Sequence, residues 1–66
     1  MKKVFEMGDL SSVKVSKADC LLNGRQAFKV VVESSDDTGE VEYETLVAAK
    51  TYREAAEIGF ENYLNY

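Results

Sequence analysis

The residue types that usually carry out catalysis are scarce in this sequence of 66 residues. Histidine is absent, which removes the commonest general acid and base near neutral pH. The single cysteine, Cys20, therefore has no imidazole to activate it, and the serine and threonine hydroxyls lack their usual base. We interpret Cys20 as a small buried hydrophobic residue, since unpaired cysteines commonly behave that way. The chain is predicted not to be an enzyme.

The acidic residues are densest around Asp36, Asp37 and Glu40. A Ca²⁺ or Mg²⁺ site needs several oxygen ligands at defined spacing. This segment lacks the alternating D-x-D-x-D-G pattern, so we interpret residues 34–40 as a solvated turn. One cysteine without histidine excludes a structural zinc site, and the glycines do not have the spacing of a phosphate-binding loop. The sequence therefore predicts no metal and no cofactor.

Charge is distributed unevenly along the chain, whose net charge is −4. Residues 1–32 hold six cations against three acids, and residues 33–66 hold two cations against nine acids. Glutamates of the acidic half are candidate contacts for a partner: Glu42, Glu44, Glu54, Glu57 and Glu61. Like charges three or four residues apart disfavour a helix slightly. These glutamates are either ordinary solvated surface or, since the surface remains acidic at that cost, a means of attracting a basic partner.

Aromatic residues supply the candidate anchors of such a contact. Three of the four tyrosines fall in the last 15 residues, where we predict a helix. We favour core and core-edge packing for these tyrosines. The alternative is that Tyr63 and Tyr66 overhang the sheet and serve as contact residues. Tyrosine is common at interface hot spots because it offers a large contact area at low entropic cost.

Two strands are predicted with a defined register. In residues 27–33 and 41–47, apolar and polar residues alternate with the period of a half-buried strand. The apolar side chains lie on one face if Val32 pairs with Tyr43, Val30 with Thr45 and Phe28 with Val47. The pattern therefore predicts an antiparallel hairpin.

The first 24 residues leave alternatives open. Residues 4–7 and 10–15 are two short strands, or one bent strand with a bulge at Gly8. For residues 16–24 we favour a hairpin arm that turns at Asn23-Gly24. That register pairs Leu22 with Arg25, Cys20 with Ala27 and Val15 with Val32, and it sets Asp19 beside Phe28. A helical turn capped by Ser16 is the alternative.

A helix is predicted to start at Thr51, which forms a T-x-x-E capping box with Glu54. Its apolar face holds small and aromatic residues: Tyr52, Ala55, Ala56, Gly59, Phe60, Tyr63 and Tyr66. The fold class is therefore α+β, with an antiparallel sheet of three or four strands and one C-terminal helix on one face (β-β-β-α or β-β-β-β-α). Residues 1–66 form a single domain. The second sheet face is left uncovered and holds Lys29, Val31, Glu42, Glu44 and Leu46.

These features predict a small non-catalytic interaction protein that presents an acidic helix and strand surface to a larger basic partner. In composition the chain resembles small acidic proteins that phages and other mobile elements carry to block host nucleic-acid machinery. That resemblance implies a regulator or inhibitor. A lone thiol indicates the cytoplasm, and no apolar run reaches the roughly 18–20 residues that cross a membrane.

Two alternatives remain. One is a homodimer or assembly subunit that uses the uncovered sheet face or an edge strand, motivated by Val31, Leu46 and Ile58, which are apolar where a monomer would expose them. The other is direct nucleic-acid binding through cations of the N-terminal strands: Lys14, Lys17, Arg25 and Lys29. The strand-strand-helix ending resembles the layout of double-stranded RNA-binding domains, although the lysine-rich helix start of those domains is missing. The net acidic charge argues against direct nucleic-acid binding.

Overall fold

A computed structural model describes residues 2–8, 11–34 and 40–66. The strands form one antiparallel sheet in chain order, and the helix packs against one face of it. This arrangement confirms the predicted β-β-β-β-α fold. The elements are β1 (Lys2–Glu6), β2 (Ser11–Leu22), β3 (Arg25–Ser34), β4 (Val41–Ala48) and α1 (Tyr52–Leu64). Within the described part of the chain, no helix has the length and apolar character needed to span a membrane.

The β3–β4 hairpin has the predicted register. Val32 pairs with Tyr43, and Val30 and Phe28 follow in step with Thr45 and Val47. The alternating valines set this register because any odd shift would turn them towards solvent. Of the predicted turn over residues 34–40, residues 35–39 lie outside the described part.

The β2–β3 hairpin also forms, so the helical alternative for residues 16–24 is wrong. Asn23 and Gly24 adopt φ values of 51° and 78°, as a turn of this kind requires. Leu22 pairs with Arg25 as predicted.

The pairing of Val15 with Val32 and the placement of Asp19 beside Phe28 are wrong. Val15 pairs with Val30 instead of Val32, because a bulge between Lys17 and Leu21 shifts the pairing by two residues. An even shift keeps every side chain on its own face. It also places Lys17, instead of Asp19, opposite Phe28.

The N-terminal residues form two strands, so the interpretation as one bent strand is wrong. β1 pairs antiparallel with β2, with Phe5 opposite Val13. Gly8, in the connection, has a φ of 74°. A Cβ at Gly8 would meet the ring of Phe60 at 3.3 Å, so this connection runs directly beside the helix.

Thr51 is confirmed as the N-cap of α1, but Glu54 completes the capping box with Lys50, the residue before Thr51. Thr51 Oγ1 accepts a hydrogen bond from the Glu54 backbone N–H at 3.0 Å. The Glu54 carboxylate accepts one from the backbone N–H of Lys50, at 2.9 Å. The helix ends at Leu64, so Tyr66 lies beyond it.

The core lies between the helix and the sheet face formed by alternate residues of β2 and β3. Its fully buried residues include Val13, Val15, Phe28, Val30, Val32, Ala55 and Ala56. A Cβ at Gly59 would lie 2.8 Å from Cβ of Val30, so the absent side chain permits the helix to approach the sheet closely.

Cys20 is exposed, so its interpretation as a buried residue is wrong. It lies between Lys17 and Leu21, where the register of β2 shifts. Leu21, beside it, is 64% exposed, so this end of the hairpin projects beyond the packed core.

The second face of the sheet is uncovered within the described residues. Lys29, Glu44 and Leu46 are exposed there, as predicted, and Val31 is half-buried. Glu42 is also exposed, but its carboxylate does not lie on this face, because it accepts a hydrogen bond from the Tyr63 hydroxyl on the helix. A bulge in the β3–β4 ladder, where Glu33 pairs with Val41, changes the direction of β4 at that point.

Candidate interaction surfaces

The outer helix surface consists of Glu57, Glu61 and Leu64, which occupy the side of α1 that faces away from the sheet. All three are exposed, and Leu64 is 66% exposed. No described residue forms an ion pair with either glutamate. Arg53 is four residues before Glu57, but its guanidinium carbon lies 5.9 Å from the centre of the Phe5 ring. The surface therefore combines two uncompensated carboxylates with an exposed apolar side chain.

The tyrosine end consists of Glu42, Tyr43, Tyr63 and Tyr66, where the last turn of α1 meets the start of β4. The Tyr43 ring lies 5.9 Å from that of Tyr63 and 5.1 Å from that of Tyr66, between ring centroids. These are ordinary distances for packed aromatic pairs. Tyr66 nevertheless remains 91% exposed. Packing on one side and exposure on the other suit a pre-positioned contact residue.

The hydroxyl of Tyr63 donates a hydrogen bond to the carboxylate of Glu42. This bond raises the pKa of Tyr63 above the ordinary tyrosine value, assisted by burial and by the negative charge of Glu42. A hydrogen bond with the Ser11 side chain acts in the opposite direction and lowers the pKa of Tyr63 by a smaller amount. The phenol therefore remains a donor that holds the carboxylate in place.

The structure divides the predicted site residues among different places. Glu57 and Glu61 lie together on the outer helix surface, and Glu42 joins Tyr63 and Tyr66 at the tyrosine end. Glu54 is half-buried in the capping box at the opposite end of the helix. Glu44 lies on the uncovered sheet face, 3.3 Å from the ammonium of Lys29.

Charge on the uncovered sheet face is ordered along the strands. One row across the sheet contains Lys2 and Lys29, and another contains Glu6 and Glu33. A middle row lies between them, with Val4, Lys14, Val31 and Glu44 as neighbours. Its charged members are paired: Lys14 lies 3.0 Å from Glu33, and Glu44 contacts Lys29.

The basic cavity lies at the start of α1, has a volume of about 440 Å³, and was missed by the sequence analysis. Cations from β1, β2 and the helix start line it: Lys3, Lys17, Lys50 and Arg53. Its other lining residues are Phe5, Phe28, Thr51 and Tyr52. No acidic residue of the described chain lines it.

Aromatic rings support the cations of the cavity. The Lys3 and Lys17 ammonium nitrogens lie 5.1 Å and 6.0 Å from the centre of the Tyr52 ring. Arg53 lies over Phe5 in the same way. These are cation–π distances, at which a ring attracts a cation without neutralising its charge.

The predicted basic strand surface does not form as one group. Lys14 and Lys29 pair with glutamates on the uncovered face, and Arg25 is at the exposed tip of the β2–β3 hairpin. Lys17 alone of that group reaches the cavity. Strand alternation contained a usable indication, because Lys3 shares a face with Phe5, and Lys17 shares one with Val15.

Among the described residues, no group of three or more histidine, cysteine or acidic side chains is placed to hold a metal ion. Comparisons with protein-family models, with curated proteins and with solved structures gave no match to the chain.

Proposed function

We propose that this chain is a non-catalytic interaction protein that binds a basic partner through the outer helix surface and the tyrosine end. The observation that carries the proposal is the pair Glu57 and Glu61, exposed one turn apart, without an ion pair to any described residue. Such a pair slightly disfavours the helix, and a basic partner would remove that cost.

Exposed apolar groups beside the carboxylates support the same proposal. Leu64 is 66% exposed and Tyr66 is 91% exposed. An interface of ordinary strength needs a few large side chains that become fully desolvated, while surrounding charges guide the encounter. Glu42 adds a carboxylate whose position is fixed by Tyr63.

The partner class follows from the charge. A surface rich in lysine and arginine complements these carboxylates, and proteins that handle nucleic acid commonly carry such surfaces. Together with the compositional resemblance to small acidic proteins of phages and mobile elements, this favours a regulator or inhibitor of nucleic-acid machinery.

The test reverses charge on the helix. An isotope-labelled protein is titrated with a peptide rich in lysine and arginine, and the amide resonances that shift are mapped by NMR. We expect shifts at the outer helix surface and the tyrosine end, and their loss in Glu57→Lys with Glu61→Lys. The matched control is Glu6→Lys with Asp19→Lys, which makes the same charge change at exposed residues elsewhere.

A second measurement uses the native partner. The tagged wild type and both variants are recovered from the source cell, and the proteins that accompany each are identified. A basic protein that is retained by the control and lost by the helix variant supports the proposal. If the helix variant recovers the basic protein as well as the wild type does, and its helix content is unchanged, the proposal is wrong.

A homodimer through the uncovered sheet face is a second candidate function. Val4 and Leu46 are 55% and 49% exposed there. Consider a second copy turned by a two-fold axis along the middle row of this face. That rotation sets the Lys2 and Lys29 row over the Glu6 and Glu33 row of the other copy. It sets Val4 and Val31 of the middle row over their own equivalents, and Leu46, which pairs with Lys29, over Val41. Ile58, on the helix, was expected to be exposed in a monomer, but it is half-buried and packs against the core.

Analytical sedimentation tests the dimer. We expect a dimer at low micromolar concentration that dissociates when Val4→Lys is combined with Leu46→Lys. Leu21→Lys, at the exposed hairpin end, is the control and should leave the dimer intact. A wild-type monomer at that concentration excludes the candidate.

A further inference from the structure

We propose that the basic cavity binds a small anion that carries two or more linked phosphate groups. An inorganic polyphosphate and the polyphosphate tail of a nucleotide share this chemistry. The site is separate from the acidic outer helix surface, and the proposal does not depend on the function proposed above.

Positive charge is concentrated at the basic cavity. Four cations line one cavity in a chain whose net charge is −4. None of them forms an ion pair with a described residue. Holding like charges close together is unfavourable, and a bound anion relieves that repulsion. A chain with more acids than bases could have placed a glutamate here, as it does beside Lys14 and Lys29.

The size of the basic cavity suits a small molecule that is larger than one phosphate. The volume of about 440 Å³ falls in the range of roughly 300–1,000 Å³ that is typical of small-molecule sites. A single phosphate would occupy a small part of this space and would reach few of the cations at once. Linked phosphates fill more of this space, whose lining includes lysines from the strands and Arg53 from the helix.

The cations of the cavity are preorganised by neighbouring aromatic rings. The rings of Tyr52 and Phe5 hold Lys3, Lys17 and Arg53 near the cavity without cancelling their charge. Holding long side chains in place in advance reduces the entropy that binding would otherwise lose. Arginine adds a planar fork that matches phosphate oxygens. The first turn of α1 is beside the cavity, and its dipole also favours an anion.

The first test is calorimetric titration of the whole chain at near-physiological salt. The probes are inorganic tripolyphosphate, adenosine triphosphate, inorganic phosphate, adenosine and a short single-stranded oligonucleotide without terminal phosphate. We expect saturable binding of tripolyphosphate or adenosine triphosphate, at least about tenfold tighter than that of inorganic phosphate. Similar affinity for tripolyphosphate and adenosine triphosphate indicates that the phosphates alone are recognised. Tighter binding of adenosine triphosphate indicates a further contact with its base or sugar. Adenosine should not bind.

The second test removes charge from the cavity. Lys3→Gln with Lys17→Gln should weaken binding at least about tenfold, because two charge-assisted contacts are lost. The matched control, Lys2→Gln with Arg25→Gln, makes the same charge change at exposed residues outside the cavity and should change affinity less than about twofold. Circular dichroism and thermal unfolding verify that both variants fold. Arg53→Gln is a second cavity variant, should the double variant unfold.

Three results would overturn the proposal. One is the absence of saturable binding by either polyphosphate probe. Another is equal weakening in cavity and control variants, which would reveal a general attraction to net charge. The third is binding of the oligonucleotide alone, which would indicate a nucleic-acid strand as the ligand.

Discussion

The two ends of α1 are both rich in aromatic residues, but they hold opposite charge. At the basic cavity, lysines and an arginine lie over aromatic rings and have no carboxylate partner among the described residues. At the tyrosine end, a carboxylate is held by a phenol hydroxyl. Ring faces attract cations, whereas the phenol O–H serves an anion. The same residue type, tyrosine, therefore supports either charge, depending on which part of it is presented.

This contrast also shows how a charge division along the sequence becomes a division in space. The first half of the chain is basic and the second half acidic. Antiparallel strands bring Lys3 and Lys17 to the same end of the sheet, and the helix start adds Lys50 and Arg53 from the acidic half. The folded chain thus has cations gathered at one end of the helix and carboxylates at the other and on its outer surface.

The largest expected effect comes from the helix that separates the two ends. In Gly59→Ala, the new Cβ would lie 2.8 Å from Cβ of Val30, so the helix must move away from the sheet. Overpacking of this kind costs about 2–3 kcal/mol, which exceeds the gain of about 1 kcal/mol in helix propensity. Denaturant unfolding measures the difference.

Asn62→Ala is the control for that measurement, because Asn62 is exposed on the same helix. It gains helix propensity without a new contact and should leave stability unchanged or slightly raised. Unfolding of Gly59→Ala at the same denaturant concentration as the wild type would contradict the close approach of helix and sheet.

A smaller effect should distinguish the two ends directly. Thr51→Ala removes the oxygen that accepts the Glu54 N–H and should destabilise the protein by about 1 kcal/mol. Amide hydrogen exchange should accelerate in the first turn of α1, beside the basic cavity, more than in the last turn at the tyrosine end. Thr51→Ser keeps the acceptor and should behave like the wild type. Uniform acceleration along the helix would mean that the cap stabilises the helix as a whole and not one end.

The sequence was sufficient for the elements whose patterns are locally unambiguous. Alternating valines predicted the β3–β4 register, and Thr51 with Glu54 predicted the helix start. The β2–β3 register was not predictable, because a bulge that shifts pairing by two residues leaves the facing of every side chain unchanged.

Strand alternation indicated the helix side of the sheet for Lys3 and Lys17, but the full set of cations in the basic cavity could not be predicted, for a related reason. Its cations come from three elements that are far apart in sequence, and their meeting depends on the corrected register that sets Lys17 opposite Phe28. The tyrosine end was partly predictable. Tyr63 and Tyr66 were singled out from their place near the end of the predicted helix, but the bond from Tyr63 to Glu42 depends on the bulge in the β3–β4 ladder.

The smallest expected effect concerns the bond at the tyrosine end. Glu42→Gln keeps an acceptor for the Tyr63 hydroxyl but removes the negative charge, so the pKa of Tyr63 should fall towards the ordinary tyrosine value. The ultraviolet absorbance of tyrosinate, followed against pH, measures this change. In the wild type one tyrosine should ionise at higher pH than it does in the variant. Identical titration curves would contradict a charged partner at Tyr63.

The same bond predicts how stability depends on pH. The pKa of Tyr63 is raised in the folded state, so the unfolded chain loses this proton at lower pH than the folded chain does. The stabilisation from the bond is therefore complete below the ordinary tyrosine pKa, and it disappears as pH rises through the folded value. Glu42→Gln should reduce that loss in the alkaline range, and near neutral pH it should be slightly less stable than the wild type, because a neutral acceptor replaces a charged one. Since the pair is at the tyrosine end, the anion affinity of the basic cavity should be the same in Glu42→Gln and in the wild type.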